Sequence, residues 1–226
     1  MFILASNSPR RKQIIALGGW PFRVQAAEVD ERVQPGEAPA AYVLRLAEAK
    51  ARAALRHVAA AERAQALLIA ADTTVADGAQ ILGKPADPAQ AVQMLTQLRG
   101  RTHYVYTGIA ALRATDERLL SDCCATETPM RDYSDAEIQA YVNSGDPLDK
   151  AGAYAIQHAG FHPVEALRGC YANVVGLPVC HLWRLIQKMG APTNGAPSAG
   201  VSAVSLAQGC QQMFAYHCPI YSQILG

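Results

Sequence analysis

LLIAADTTVADGAQILGKP, residues 67–85, is the stretch from which the rest of the chain can be read. Leu67 to Ala71 form the unbroken apolar run of a strand buried on both faces. The run passes directly into Asp72, Thr73 and Thr74, which puts a carboxylate at the expected end of that strand. Two short apolar runs then flank Asp77-Gly78, a strong β-hairpin signal. Gly83-Lys84-Pro85 follows, a lysine between a flexible and a rigid residue. If the hairpin folds back on its own strand, Lys84 returns to the neighbourhood of Asp72 and joins a phosphate-type cation to a metal-type ligand. The plainer alternative is an aspartate closing a turn and a solvated lysine.

The 226 residues are 50% hydrophobic and 17% charged, with a formal net charge of +1. Those values describe a soluble globular chain able to bury one substantial core, in one domain with room for two lobes. Nothing global asks for a nucleic-acid or membrane partner, so anion binding has to come from local clustering. The cysteines at 123, 124, 170, 180, 210 and 218 form no CxxC pair and no zinc spacing. Phe2 to Ala5 is too short for a signal peptide, and no apolar run approaches the ~18 residues of a membrane span. The expected location is the cytoplasm.

Taken in order, FILA reads as a short buried strand leading into Ser6-Asn7-Ser8-Pro9-Arg10-Arg11-Lys12. Ser8 suits an N-cap and Pro9 the first helical position, so a helix starts here, turns Ile14, Ile15 and Leu17 inward and stops at Gly18-Gly19. Cations in a first helical turn oppose the helix dipole by about 0.3–1 kcal/mol each. Phosphate bound jointly by the free N–H groups, Ser6, Ser8 and the arginines accounts for their presence. A strand from Phe22 to about Ala26 runs into Glu28, Asp30 and Glu31, which with Asp72 make a hard-cation site for Mg²⁺ or Mn²⁺. One long Ala-rich helix is expected from Pro39 to Ala64, with Val43, Leu46, Ala47 and Ala54 inward. Lys50 shares that face, either snorkelling outward or reaching a charged ligand.

Asp87-Pro88 opens a scaffold helix that buries Val92, Leu95 and Leu98 and ends at Gly100. Residues 100–114 and 118–128 alternate like paired antiparallel strands, with Arg101, His103 and Thr107 near the start and His103 assigned a structural role. Ser134 to Glu137 is a capping box opening a helix to near Gly145. In the segment from Asp149 to Gln157, small residues let backbone approach a ligand, and the Gln157 amide suits a base edge. Ala172 to Pro178 leads into a helix with Leu182, Leu185, Ile186 and Met189 inward and Gly190 as its stop. Beyond it the composition shifts to Ala, Gly, Pro and Ser without periodicity, so 190–226 reads as a tail, poorly ordered or docked.

The ordered set SNSPRR (6–11), EVDER (28–32), LAEAKA (46–51), ADTTV (71–75), LGKP (82–85), GRTHYVYTG (100–108), DKAGAYAIQ (149–157) and VVGLP (174–178) closely resembles the Maf family of nucleoside triphosphate pyrophosphatases. Each motif alone is weak, but together, in one order over residues 1–189, they carry the resemblance. It implies a mixed α/β fold, a twisted sheet with flanking helices and two lobes around a central cleft, similar to the inosine triphosphate pyrophosphatases. It also implies a divalent cation, Mg²⁺ or Mn²⁺, a homodimer, and hydrolysis of nucleoside triphosphates to monophosphate and pyrophosphate as nucleotide-pool house-cleaning.

By the same resemblance Asp72 is the proton acceptor and Glu31, with Asp72, the metal-binding carboxylate. Ser6, Arg10, Arg11, Lys50 and Lys84 match phosphate-binding positions. Arg10, Thr73 and Gln157 match the substrate-specificity positions in the combination of the dTTP and UTP enzymes, where those acting on 7-methyl-GTP resemble Trp, Gln and Glu. A rival of another class is a nucleotide-binding regulator of septum formation without turnover. Phosphate binding alone has no use for Asp72 and Glu31, which repel an anion unless a metal is present. The tail has no counterpart in the motif set, and truncation after Met189 is expected to leave catalysis intact.

Overall fold

The computed structural model describes residues 1–190 and 201–225. The expected tail falls partly on 191–200 and 226, outside those residues. The apolar run at Leu67 does not stop at Ala71. It continues as strand β3, Leu67–Asp77, because Thr73, Thr74 and Val75 are β-branched residues that suit a pleated backbone. Asp72 therefore lies in the middle of a strand rather than at its end. On one edge β3 pairs in parallel with β1 (Phe2–Leu4), which pairs in turn with β2 (Phe22–Val24). On the other edge it pairs antiparallel with β5 (Thr102–Arg113), and β5 with β6 (Leu119–Pro129). The expected hairpin forms: Gly78 takes φ +60° and β4 (Gln80–Leu82) returns along β3. The mixed six-stranded sheet has the order β2-β1-β3-β5-β6, with β4 beside β3.

The pairing leaves one gap. On the β1 edge the ladder ends at Leu4↔Ile69, and β4 does not begin until Val75↔Leu82. Ala70 to Thr74 thus have an open edge, and Asp72 is at its centre.

Helix α1 (Pro9–Ala16) begins as expected, with the Ser8 hydroxyl accepting from the Arg11 N–H. Helix α2 (Pro39–Leu55) buries Val43, Leu46, Ala47 and Ala54, but it stops nine residues short of the expected Ala64. Arg63, from the short α3 (Ala60–Arg63), donates to the carbonyls of Leu55 and Val58, and Val58 tucks into the core. The Arg56, His57 and Val58 N–H groups bond to the Ala53, Ala54 and Leu55 carbonyls, so the helix tightens and ends where the sequence offers no Gly or Pro, with Arg63 across the turn. The remaining helices are α4 (Pro88–Leu98), α5 (Asp135–Asn143), α6 (Tyr171–Val175), α7 (Val179–Met189), α8 (Ala203–Phe214) and α9 (Tyr221–Leu225). Asp87 caps α4, and the Ser134/Glu137 capping box opens α5.

Strand alternation divides the core. Phe2, Leu4, Leu67, Ile69, Ile109 and Ala111 face α1, α6, α7 and α8, while Ile3, Ala5, Leu68, Ala70, Ala110 and Leu112 face α2. A third cluster gathers Val75, Leu82 and Val105 with α4 and α5 at the far end of the sheet. The described part of the C-terminal segment is not loose. A Ser202/Ser205 box starts α8, whose Leu206, Ala207 and Cys210 complete the first cluster. Among the described residues no helix is long and apolar enough to cross a membrane.

His103 serves this scaffold, not the site: it is buried, with Nε2 2.8 Å from the Tyr154 hydroxyl. Burial pushes its pKa down to about 4, against a smaller opposing pull from Asp77. Between that value and the unfolded value of about 6.5, the unfolded chain binds more protons than the folded one, so stability falls as pH falls through that window. A loss of about 2–3 kcal/mol between pH 7 and 4 is expected from this group. Urea midpoints measured across that range in the wild type and His103→Gln test it; equal slopes would remove His103 as the cause.

Candidate active site

Successive residues of β3 face opposite ways, and the site is built on that alternation. Asp72 points to the α2 side and Thr73 to the α1 side. Opposite Asp72 across the ladder stands Gly108, where a Cβ would lie 2.4 Å from the Val43 carbonyl oxygen. The missing side chain lets the first turns of α2 lie directly on β5. Two turns further along the same helix face, Lys50 comes over the sheet and its Nζ donates to Asp72 Oδ1 at 2.6 Å. Of the two roles the sequence left open for Lys50, the one realised is the inward one.

Glu31 reaches the same ammonium, with Oε1 2.6 Å from Lys50 Nζ. Partial burial pushes the Glu31 carboxyl up, but the hydrogen bond and charge of Lys50, with Lys84 and Arg11 behind, outweigh it and hold the group below its ordinary value. The other members of the acidic run do not join. Asp30 turns to Arg32 in an exposed pair at 2.6 Å, and Glu28 is not among the cavity-lining residues. The expected cluster of carboxylates after β2 is thus corrected to a pair drawn from two segments, Glu31 and Asp72. Among the described residues no group of three or more His, Cys, Asp or Glu side chains is arranged to hold a metal ion. Two carboxylates converging on one cationic centre nevertheless suit a hard divalent ion of the kind that completes its coordination with water and substrate phosphates. Tyr42, unnoticed in the sequence, donates to the Glu31 carbonyl at 2.9 Å, and burial together with Asp72 and Glu31 pushes its pKa up to about 12, so it stays a donor.

On the other side, Arg11 is held by neutral acceptors alone. Its Nε donates to the Gly176 carbonyl at 2.8 Å, one terminal nitrogen to Ser6 Oγ at 3.3 Å and the other to Thr73 Oγ1 at 3.1 Å. Burial lowers its pKa, with the charges of Asp72 and Glu31 acting in the opposite sense, and the guanidinium keeps its charge at neutral pH. Its positive charge is not spent on a carboxylate and remains directed at the cleft. Thr73 in turn lies 2.9 Å from the Thr107 hydroxyl.

Both sides open into a cavity of about 810 Å³. It is lined by Ser6, Arg10, Arg11, Glu31, Lys50, Asp72, Thr73, Lys84 and Gln157, the positions that the motif resemblance marked. Lys84 returns to it through the hairpin as expected. The segment from Asp149 to Gln157 also lines it, with Ala151 and Ala155 on the cavity. Gly152, at φ +68°, has room for no Cβ because Val75 would lie 2.8 Å away, so that residue packs on β3. Lys150, passed over in the sequence, donates to Asp146 Oδ1 at 3.0 Å and Asp149 Oδ1 at 2.7 Å and fixes that segment. Tyr42 was given no role in the sequence, and Gly176 entered only as part of VVGLP, its partner Arg11 lying 165 residues away.

The mixed α/β domain thus brings Glu31 and Asp72, both paired with Lys50, into one cavity with Arg10, Arg11 and Lys84. The chain belongs to the Maf family, whose description as Maf-like protein matches residues 1–189. It is 47% identical over 192 residues to a protein of Myxococcus xanthus (strain DK1622) named dTTP/UTP pyrophosphatase, covering 85% of this chain and 94% of that one. Proteins of the same name from Dehalococcoides mccartyi (strain ATCC BAA-2266 / KCTC 15142 / 195) and Chlorobium phaeovibrioides (strain DSM 265 / 1930) are 45% and 44% identical, over 83% of this chain and 82% and 96% of theirs.

Proposed function

We propose that this protein hydrolyses nucleoside triphosphates, dTTP and UTP foremost, to the monophosphate and pyrophosphate, and so clears the nucleotide pool. The observation that carries the proposal is the convergence of Asp72 and Glu31 with Lys50, Lys84, Arg10 and Arg11 on one cavity. The names of the relatives support the reaction and the substrates.

A triphosphate brings about four negative charges, and displacement at the α-phosphorus adds charge to the leaving pyrophosphate. Arg10, Arg11, Lys84 and Ser6 bind and orient the phosphates. Lys50 bridges the two carboxylates and offsets one of their two negative charges, which lessens their repulsion of the substrate. Asp72, at the open edge of β3, accepts the proton of the attacking water. Glu31 and Asp72 together would hold Mg²⁺ or Mn²⁺, which supplies Lewis acidity at the phosphates when bound. Arg10, Thr73 and Gln157 select the base. The proposal extends to a homodimer acting on free nucleotides in the cytoplasm, without nucleic-acid or membrane partners, with 1–189 as the catalytic unit and 190–226 as an appended segment. The net charge of +1 favours free nucleotides over a nucleic acid.

Pyrophosphate release is expected from dTTP and UTP with Mg²⁺ or Mn²⁺ and not with EDTA. Thymine and uracil share a polar edge and differ by one methyl, worth about 1 kcal/mol, so the two kcat/KM values should lie within about tenfold. Turnover of 7-methyl-GTP should be much weaker. A preference for the methylated purine would overturn the base assignment, and no turnover on a broad nucleotide panel would favour the regulator.

A further inference from the structure

Thr107 and the backbone of Asn173, both fully buried, stand behind Thr73 in a chain of hydrogen bonds whose direction is determined. The Thr107 hydroxyl lies 2.9 Å from the Asn173 carbonyl oxygen, which can only accept, so the single proton of Thr107 goes there. A buried carbonyl left without it would be unsatisfied, and two oxygens at that distance with no proton between them repel. Thr107 then has only lone pairs to offer Thr73, 2.9 Å away, and the Thr73 proton must point back into the protein. The Arg11 guanidinium, a pure donor, takes one lone pair of Thr73 at 3.1 Å. Thr73 lines the cavity with one lone pair left and no proton.

We propose that Thr107 is a positioning residue for base selection: by accepting the Thr73 proton it presents Thr73 to the cleft as a hydrogen-bond acceptor only. An acceptor there favours a base whose edge carries an N–H, the N3 imide of thymine and uracil, over cytosine, whose N3 is itself an acceptor. This rests on the nucleotide pyrophosphatase proposed above and deepens it, since it names the group that disfavours cytidine nucleotides. A threonine pair inside a sheet would otherwise be ordinary cross-strand packing.

The test compares kcat/KM for dTTP and dCTP, with thermal unfolding of each variant as a control for folding. Wild type and Thr107→Ser, which keeps the hydroxyl, should show the same preference for dTTP. Thr107→Val takes the acceptor away, frees the Thr73 proton for the cleft and should lower that preference about tenfold, the worth of one hydrogen bond, largely through better use of dCTP. Where Thr107→Val does not fold, Thr107→Cys, with a poorly accepting sulfur, replaces it. A folded Val or Cys variant with the wild-type ratio, or a Ser variant that loses the ratio equally, overturns the role of Thr107. An equal fall for both nucleotides also overturns it, because that is the result of a relay that only braces Arg11. Wild-type protein that releases no pyrophosphate from dTTP would instead sink the pyrophosphatase proposal, and this one with it.

Discussion

Asp72→Asn is expected to fold like the wild type and to release pyrophosphate from dTTP about 10²–10⁴-fold more slowly, the range associated with losing a positioned general base. The fold should survive because the substitution strands no charge. Lys50 keeps Glu31 at 2.6 Å after the Asp72 carboxylate is gone, and the carbonyl of the amide that replaces it can still accept from the ammonium. Catalysis should not survive, since an amide takes no proton and gives a divalent cation a weaker ligand. Glu31 is tied up with Lys50, and Asp149, which also lines the cavity, with Lys150, so neither is expected to replace Asp72. Circular dichroism and a pyrophosphate assay on the same preparation decide it. Turnover within a few-fold of wild type, in a folded variant, would remove Asp72 from the chemistry.

The second large effect concerns the C-terminal segment. Leu206→Ala should lower stability by about 2–5 kcal/mol, as large-to-small changes at packed sites do, because Leu206 is only 1% exposed within the cluster shared by α1, α6 and α7. Truncation after Met189 should cost at least as much, since it uncovers Val179, Cys180 and Tyr171 on the domain. Turnover per folded molecule should be unaffected in both, because no residue of α8 or α9 lines the active-site cavity. The sequence reading anticipated intact catalysis in the truncated chain; the packing of α8 adds the loss of stability. Urea unfolding read beside active-site titration separates the two. An unchanged midpoint after truncation would mean that α8 and α9 contribute nothing to the domain, and a fall in turnover per folded molecule would bring them into the site.

What the sequence determined by itself was local. The apolar run at Leu67, the Asp77-Gly78 turn, the Ser8-Pro9 and Ser134/Glu137 helix starts and the inward stripe of α2 depend on neighbours within a few residues, and each appears where the pattern placed it. Some residues that line the cavity were legible for the same reason, since charge at the end of an apolar run, or a lysine on a buried stripe, is visible without a fold; Thr73 and Gln157 came from the motif resemblance, and Tyr42 and Lys150 were missed. The errors were also local rules, overruled from a distance. Arg63 folds back on the carbonyls of Leu55 and Val58 past the end of α2, and Glu31 is drawn from its neighbours to Lys50 while Asp30 stays with the nearby Arg32. The weak composition after Gly190 hid α8, whose few apolar residues suffice because the domain supplies the rest of the cluster. Only the tertiary structure decided which partners meet. Register puts Gly108 opposite Asp72 and so admits α2, strand alternation sends Asp72 to Lys50 and Thr73 to Arg11, and the early end of β1 opens the edge between them. Those are facts about contacts between segments up to a hundred residues and more apart, such as Arg11 with Gly176, and a sequence pattern of short period does not encode them.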